Sequence, residues 1–516
     1  MDFTLLAEAF STVMLTPINF IFVFIGITAG IVVGALPGLT ATMGCALLIP
    51  FTFGLPPIQG LLMLIGIFCG AIYGGSISGI LIRTPGTPAA AATLLDGYPL
   101  AQKGLAGKAI GIATVASFVG GTTGAVIMTF LSPQIAKIGL KFGPPEFCSL
   151  AIFGLGMIIT ISGRSILKGV MAAIFGLMIT VIGFDPLSGV SRFTFGSQNL
   201  LGGVTFIPAL IGLFGYAQVF RNIEKITTLP PVESKVEKIL PKISEITSNL
   251  KTMLKSAVMG TFIGSIPGLG CDVAAFITYG EAKRSSKHPE KFGTGILEGV
   301  AAPEAGNNAA TGGAMIPMLT LGVPGDAVTA VLLGALTIHG LQPGPMLFRD
   351  HLDVIYPIFA GMIMAQFILL IVGLSGARVF ARLITVDRKI LTPVIFFLCV
   401  VGSYAMRFSF FDVGLSLVIG VIAYFMEYYD YPVSPILLAL ILGPMAEQNL
   451  RRTLIISHGD PTVFFTRPIS AAFILLAVAV IISSYYRIKK TAQREQQNAL
   501  QAGINPATTH EAHAKK

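Results

Sequence analysis

Uncharged, apolar stretches of about twenty residues recur along most of this chain, and this feature constrains its fold more than any other. Each stretch is long enough to cross the hydrocarbon layer of a bilayer, which is roughly 30 Å thick. Only 11% of the 516 residues are charged, against roughly 25% in an ordinary soluble domain. The pattern predicts an all-α polytopic membrane protein with about 11–12 transmembrane helices, beginning near residues 57, 106, 145, 166, 200, 292, 353, 390, 411, 433 and 467.

The chain also contains an internal duplication of a proline-glycine element. The segment GIVVGALPGL, Gly30 to Leu39, matches GTFIGSIPGL, Gly260 to Leu269. Further along, RTPGT at Arg83 to Thr87 corresponds to GVPGD at Gly322 to Asp326, and each follows a double glycine by about ten residues. Two ordered matches at nearly constant spacing predict two structural repeats, each with Pro-Gly-broken re-entrant elements.

The distribution of Lys and Arg predicts that the two repeats are inverted relative to each other. No Lys or Arg precedes Arg83, whereas the second Pro-Gly element lies between the basic stretches 221–255 and 281–291. Because Lys and Arg favour the cytoplasmic side, the first element is expected to begin outside and the second inside. Arg451 and Arg452 would lie outside in this scheme, which counts against it. The predicted organisation is a first transmembrane repeat at 1–220, a cytoplasmic linker at 221–252, a second transmembrane repeat at 253–486 and a cytoplasmic tail at 487–516.

Four Pro-Gly breaks are expected to leave backbone groups unsatisfied at membrane depth, where only protein or a water-filled cavity can satisfy them. A helix that restarts after a break presents the positive end of its dipole, and paired breaks in two repeats are typical of a transporter's central site. The alternative interpretation is that the breaks are packing kinks. The residues predicted to bind substrate are Pro37, Gly38, Ser76, Thr84, Gly86, Thr87, Gly268, Asn307, Asn308 and Gly325.

A polar segment, PEAGNNAATGG at Pro303 to Gly313, interrupts the apolar pattern of the second repeat. Its side-chain oxygens predict a metal site for sodium formed by Asn307, Asn308 and Thr311. The alternative role for these side chains is hydrogen bonding between helices. Glu304 is interpreted either as a proton relay or as a neutral hydrogen-bonding partner.

Two aspartates and one arginine lie close to the breaks. Asp272 and Asp326 follow the two breaks of the second repeat and are expected to cap the helices that restart there. For Arg83, snorkelling from a helix end is favoured over pairing with a substrate carboxylate. The five cysteines lie in apolar segments without metal or disulfide spacing and are expected to be packing residues.

Three segments of the chain resemble a known family: GALPGL, TPGTPAAAATLLDGYPLAQKG and YGEAKRSSKHPEKFGTGILEGVAAPEAGNNAATGGAMIPMLTLGVPGD. They are similar to the hallmark segments of the large membrane subunit of the bacterial tripartite tricarboxylate transporters. The resemblance implies a multi-pass secondary transporter of the bacterial inner membrane that works with a small membrane subunit and a periplasmic solute-binding protein. It further implies import of a di- or tricarboxylate such as citrate, driven by a sodium or proton gradient, with no cofactor and no enzymatic activity.

Two other classes of function are weighed against transport. An intramembrane aspartyl protease would use Asp326 and Asp430 as its catalytic pair, although Val323 stands where such a protease has the first glycine of its Gly-x-Gly-Asp element. A channel or scaffold would need only glycine-rich helix packing. The net charge of +9 is concentrated in loops and the tail, which fits the charge bias of a membrane protein and argues against nucleic-acid binding.

Overall fold

The structure, a computed structural model, describes residues 3–161, 165–185, 187–224, 236, 239–384, 386 and 388–482. The predicted tail at 487–516 and part of the predicted linker, residues 225–235, 237 and 238, lie outside the described residues. Within the described residues the chain is mostly helical, and the strands are limited to the antiparallel pair Gly183–Phe184 and Ser191–Arg192.

The first half of the chain contains the helices α1 (Phe3–Leu15), α2 (Pro17–Ala35), α3 (Ala41–Leu48), α4 (Pro57–Ile82), α5 (Leu94–Gln102), α6 (Ala106–Gly139), α7 (Pro144–Ile161), α8 (Ile166–Thr180), α9 (Phe206–Leu210) and α10 (Ala217–Glu224). The second half contains α11 (Ile243–Gly264), α12 (Gly270–Ser285), α13 (Leu297–Leu321), α14 (Ala327–Ile338), α15 (Leu347–Asp350), α16 (Leu352–Leu383), α17 (Arg388–Ala405), α18 (Phe410–Tyr428), α19 (Ser434–Ile456) and α20 (Val463–Thr466).

Six helical segments of the described chain are long and apolar enough to cross a membrane. They are α2, α4, α6, α16, α18 and the continuous stretch Phe206–Glu224, in which a π-helical turn joins α9 to α10. Six further apolar helices are shorter, namely Thr4–Leu15, Ala41–Thr52, Ile166–Thr180, Ala327–Ile338, Lys389–Ala405 and Pro468–Ile482. The predicted all-α membrane fold is therefore confirmed, while the total of about 11–12 crossings stays a prediction.

Large apolar side chains cover the outer faces of several helices. On α2, Phe20, Phe24 and Ile25 are exposed, and Phe425 of α18 and Ile371 of α16 are exposed in the same way. A soluble protein rarely exposes so much contiguous apolar surface, whereas lipid is a favourable environment for it. We infer that these faces contact the bilayer.

The duplicated sequence elements form two helix pairs with matching contacts. In the first pair α2 packs on α4, and in the second α11 packs on α13. A Cβ atom at Gly34 would meet the carbonyl oxygen of Ala71, and one at Gly264 would meet that of Ala310. In both pairs glycine therefore lets the backbones approach closely, at equivalent positions of the repeat.

The elements that follow the Pro-Gly breaks pack across the two repeats. Helix α3, after the first break of the first repeat, contacts α14, which follows the second break of the second repeat. Reciprocally, α12 contacts the 3-10 turn Pro88–Ala91, which follows the second break of the first repeat. The long helices also pack across the two repeats, since α6 packs on α13 and α16 packs on α4. The two repeats thus share one interior, while their relative orientation in a membrane stays a prediction.

The described residues divide into two compact units. The larger unit lies within residues 1–142 and 178–429, and the smaller unit comprises residues 143–177 together with the described residues from 430 onward. Both repeat elements lie in the larger unit. In the smaller unit α7 packs on α19. There the buried carboxylate of Glu146 accepts a hydrogen bond from Arg467 at 2.6 Å, which satisfies a charge that would be costly to leave unpaired.

Candidate functional site

The polar segment of the second repeat lies in the middle of α13, where every residue from Gly299 to Thr320 is buried. Glu304 accepts two hydrogen bonds from hydroxyl groups of the first half of the chain. Thr93 Oγ1, just before α5, donates to Glu304 Oε1 at 2.5 Å, and Ser117 Oγ of α6 donates to Oε2 at 2.9 Å. A buried carboxylate is stable only with such partners, and here both oxygens have one.

Asn307, Asn308 and Thr311 extend this network along the same helix. The Asn307 amide donates to the carbonyl oxygen of Ala89 at 3.3 Å, and the Asn308 amide donates to Ser117 Oγ at 2.9 Å. The Thr311 hydroxyl donates to the carbonyl oxygen of Asn308 at 2.6 Å. The structure therefore brings together the three residues predicted to bind sodium. They lie next to Glu304 and to the segment that follows the second break of the first repeat.

Two buried amide oxygens of this region receive no hydrogen bond from the described residues: Asn308 Oδ1 and Gln366 Oε1. Gln366 lies on α16 and is fully buried, with its Nε2 donating to Cys69 Sγ at 3.3 Å. Its oxygen lies against Gly121 of α6, where a Cβ atom would meet it. A buried acceptor without a donor costs about 1–3 kcal/mol, so a bound cation is one group that would satisfy these oxygens.

The second break of the first repeat, Pro85–Gly86, is held against α4. The Gly86 amide donates to the carbonyl oxygen of Gly75 at 3.2 Å. Thr87 is buried, and its hydroxyl has no hydrogen-bond partner among the described residues. Thr84 is only partly buried and its hydroxyl donates to Ile82 O at 3.4 Å. Of the residues predicted at this break to bind substrate, Thr87 is the one with an unused polar side-chain group inside the protein.

The serines of α4 are occupied within their own helix. Ser76 Oγ donates to the carbonyl oxygen of Tyr73 at 2.7 Å, and Ser78 Oγ donates to that of Gly75 at 3.2 Å. Both side chains are fully buried. Because each hydroxyl proton is already donated to a carbonyl oxygen, neither serine has a proton left to donate to an anion. Each hydroxyl oxygen can still accept a hydrogen bond.

In the second repeat the two breaks meet directly. The Gly268 amide donates to the carbonyl oxygen of Gly325 at 2.7 Å. Asp326 then caps α14, with its Oδ1 accepting from the Thr329 amide at 2.8 Å, as expected from the sequence. The prediction that Asp272 caps α12 is wrong, because Leu269 occupies the N-cap position and Asp272 lies in the first turn of that helix with an exposed side chain.

The first break of the first repeat, Pro37–Gly38, lies against α10. Gly38 has a φ angle of 95°, a left-handed conformation that favours glycine. A Cβ atom there would lie 2.9 Å from the Gln218 side chain of α10. Pro37 beside it is buried. Gly86 lies against the carbonyl oxygen of Gly34 on α2. Gly38 and Gly86, both predicted to bind substrate, therefore contact different helices.

Arg83 and the cysteines have structural surroundings that differ from those of the polar network. Arg83 ends α4 in a left-handed conformation, is exposed, and stacks over the ring of Tyr98 at 5.7 Å. All five cysteines are buried and none forms a disulfide, which agrees with their expected role in packing.

Several polar partners were not found from the sequence: Thr93, Ser117, Gln366 and Asp96. Asp96, which is fully buried, accepts hydrogen bonds from the amides of Gly293, Gly295 and Ile296 and from the Tyr279 hydroxyl. The signal for Gln366 was present, because it is an amide within the long apolar run of α16.

Comparison with known proteins gives a consistent picture. The model of the family described as "Tripartite tricarboxylate transporter TctA family" matches residues 20–438. An uncharacterised 52.8 kDa protein of the TAR-I ttuC' 3' region of Agrobacterium vitis is 36% identical over 468 residues, which are 91% of this chain and 93% of that protein. An uncharacterised protein of the TAR-II ttuC' 3' region of the same organism is 37% identical over 223 residues, 43% of this chain and 92% of that protein. No solved structure matches the chain.

Proposed function

Because this chain belongs to the tripartite tricarboxylate transporter TctA family, we propose that it is the membrane subunit that moves a di- or tricarboxylate such as citrate across the bacterial inner membrane. A periplasmic solute-binding protein delivers the substrate, and a small membrane subunit completes the transporter. Import is driven by a sodium or proton gradient.

The observation that carries the proposal is the buried polar network on α13. Its side chains bond to Ala89 and Thr93, which follow the second break of the first repeat. A polar centre where broken elements of two repeats converge is the usual place for substrate and coupling ion in secondary transporters. A packing helix would have no need of amide oxygens without donors, such as Asn308 Oδ1.

Sodium is the coupling ion that this chemistry favours. Asn308 Oδ1 and Gln366 Oε1 are buried acceptors without donors among the described residues, and Thr311 adds a hydroxyl oxygen one turn along α13. Hard cations prefer such oxygen ligands, and the Glu304 carboxylate supplies negative charge nearby. A sodium ion bound here would offset the desolvation cost of the amide oxygens.

The carboxylate substrate binds at the breaks when they separate. In the structure the Gly86 and Gly268 amides are occupied by Gly75 O and Gly325 O. Parting of these contacts during alternating access frees two backbone donors for an anion, beside the unused hydroxyl of Thr87. Substrate therefore competes with closure of the breaks, which couples binding to movement of the broken elements within each repeat.

The test is uptake by proteoliposomes that contain the chain, the small subunit and a matching solute-binding protein. Labelled citrate and a panel of di- and tricarboxylates are supplied under an inward sodium gradient, an inward proton gradient, or no gradient. We expect accumulation of at least one carboxylate under the sodium gradient, abolished by a sodium ionophore. Absence of gradient-dependent accumulation of every acid would reject the proposal, and accumulation under the proton gradient alone would reject the sodium assignment.

The protease alternative receives no support from the comparisons. Asp326, one of its two required aspartates, is engaged in capping α14. Asp430 is an exposed turn residue with a φ angle of 59°. No observation therefore favours it as a second candidate function.

A further inference from the structure

A cavity outside the Glu304 network lies where α6 and α11 begin and α16 approaches its end. Its volume is about 750 Å³. Its charged lining consists of Lys108, Lys242, Glu245 and Arg378, and its apolar lining includes Leu105, Leu240 and Leu374. The cavity is thus both cationic and apolar, which is unusual for a packing defect.

The walls of this cavity are held together by specific contacts. Gly111 of α6 lies against the carbonyl oxygen of Ile239, and a side chain at Gly111 would push this segment away. The Lys108 ammonium forms an ion pair with Glu245 at 2.5 Å, which joins α6 to α11. The backbone amide of Lys242 also donates to Glu245 at 3.0 Å. The cavity is therefore a built feature of the interface between α6 and α11.

Positive charge exceeds negative charge in this lining. Glu245 is engaged by Lys108 and by the Lys242 backbone. Arg378 is exposed, and within the described ranges no residue pairs with its guanidinium. Three cationic side chains thus face one carboxylate that is already paired, and the excess charge is available to an anion.

The position and rim of the cavity identify the kind of anion. Lys108 lies in the first turn of α6 and Arg378 near the end of α16, and both helices are candidate membrane spans. At the start of α11, Ile243 is 80% exposed and Leu240 is 75% exposed. Basic residues at helix ends beside exposed apolar side chains are typical of the membrane surface.

We propose that this cavity binds the phosphate headgroup of an anionic phospholipid from the surrounding bilayer. Lys242 and Arg378 contact the phosphate, and the acyl chains lie along Leu105, Leu240 and Ile243. A free phosphate compound would meet the same cations but would gain nothing from the apolar rim. The bound lipid would hold the start of α11 against α6 and α16.

Lipid binding to the purified full-length chain tests this proposal. Native mass spectrometry measures binding of phosphatidylglycerol and of zwitterionic phosphatidylethanolamine to the wild type and to the double variant Lys242→Gln/Arg378→Gln. We expect the variant to bind phosphatidylglycerol about 25-fold more weakly, at roughly fivefold per charge removed, with phosphatidylethanolamine binding unchanged. The matched control Lys283→Gln/Lys287→Gln removes two exposed charges elsewhere and should bind as the wild type does, and Arg378→Lys should retain binding.

Three outcomes would overturn the proposal. The first is equal phosphatidylglycerol binding by the double variant and the control. The second is displacement of the lipid by millimolar glycerol 3-phosphate, which would make the cavity a site for free anions. The third is stronger lipid binding after Glu233→Gln/Glu237→Gln, which would show that the two linker carboxylates compete with the lipid for the cavity. Unchanged thermal unfolding of the double variant in zwitterionic detergent confirms that it is folded when binding is measured.

Discussion

At the scale of single residues, Asp96 has the most demanding set of contacts among the missed residues. Its carboxylate is fully buried and accepts from the amides of Gly293 at 2.9 Å and Gly295 at 2.8 Å and from the Tyr279 hydroxyl at 2.8 Å. It therefore anchors the loop before α13 to the segment that follows the second break of the first repeat. Through this loop it fixes where α13 begins.

Replacement of Asp96 by Ala should destabilise the protein by about 3–5 kcal/mol, because several buried donors lose a charged acceptor at once. Asp96→Asn should cost less, since one acceptor oxygen remains. Thermal unfolding in detergent measures both changes, with Asp353→Asn as the control because Asp353 is exposed. If Asp96→Ala unfolds at the same temperature as the control, the anchoring role is wrong.

The proposed sodium ligands make a second prediction at this scale. Asn308→Ala and Gln366→Leu each remove one amide oxygen, so the sodium concentration for half-maximal uptake should rise about tenfold, equivalent to about 1.4 kcal/mol. Thr129→Val is the matched control, because this buried hydroxyl donates only to its own helix at Ala125 O. Sodium-dependent uptake in proteoliposomes gives the measurement. Equal sodium dependence in the Gln366 variant and the control would remove Gln366 from the site.

The residues that the sequence revealed and those it concealed differ in a physical way. Glu304, Asn307, Asn308 and Thr311 stand out because polar side chains in an apolar helix need an explanation within that helix. Their partners Thr93 and Ser117 do not stand out, since a hydroxyl is common in membrane helices and the contact joins positions far apart in the chain. Only the folded structure pairs them.

At the scale of helices, glycine determines how closely each repeat packs. Gly34 and Gly264 occupy equivalent positions, and a Cβ atom at either would overlap the backbone of the partner helix. Gly34→Ala and Gly264→Ala should each destabilise the protein by about 1–3 kcal/mol. Gly280→Ala is the control, because open space surrounds Gly280 within α12, and there alanine should be neutral or stabilising by about 1 kcal/mol.

Thermal unfolding of the three glycine variants tests whether the repeats are equivalent in energy as well as in sequence. Similar losses for Gly34→Ala and Gly264→Ala, with none for Gly280→Ala, are the expected pattern. A loss confined to one repeat would mean that the other pair tolerates separation of its helices. That result would contradict the idea that both pairs depend on the same close backbone contact.

Helix positions were largely predictable, whereas the mutual placement of the broken elements was not. The expected crossings near 57, 106, 353 and 411 begin at Pro57, Ala106, Leu352 and Phe410, because long apolar runs bounded by proline or polar residues define helices locally. The meeting of Gly268 with Gly325 at 2.7 Å depends on how α11 packs on α13. No local pattern contains that information.

At the scale of the whole molecule, exchange between the repeats explains why one duplicated element would be insufficient. Helix α3 completes the surroundings of α14, and α12 completes those of Pro88–Ala91. The elements that follow the breaks are therefore packed against the other repeat, while the amides of Gly86 and Gly268 are satisfied by carbonyl oxygens of their own repeat. The same exchange means that movement of one repeat alters the contacts of the other, as alternating access requires.

The inverted orientation of the repeats is the prediction that decides this account at the largest scale. The loop between α3 and α4 and the loop between α12 and α13 are equivalent, but only the second is basic. Gly54→Cys and Lys287→Cys each place a thiol at an exposed position of one loop, while the five natural cysteines are buried and should not react in the parent chain. A membrane-impermeant thiol reagent should label Gly54→Cys in right-side-out vesicles and Lys287→Cys only in inside-out vesicles, because Lys and Arg favour the cytoplasmic side. Labelling of both from the same side would make the repeats parallel, and the broken elements could then not approach a common centre from opposite faces of the bilayer.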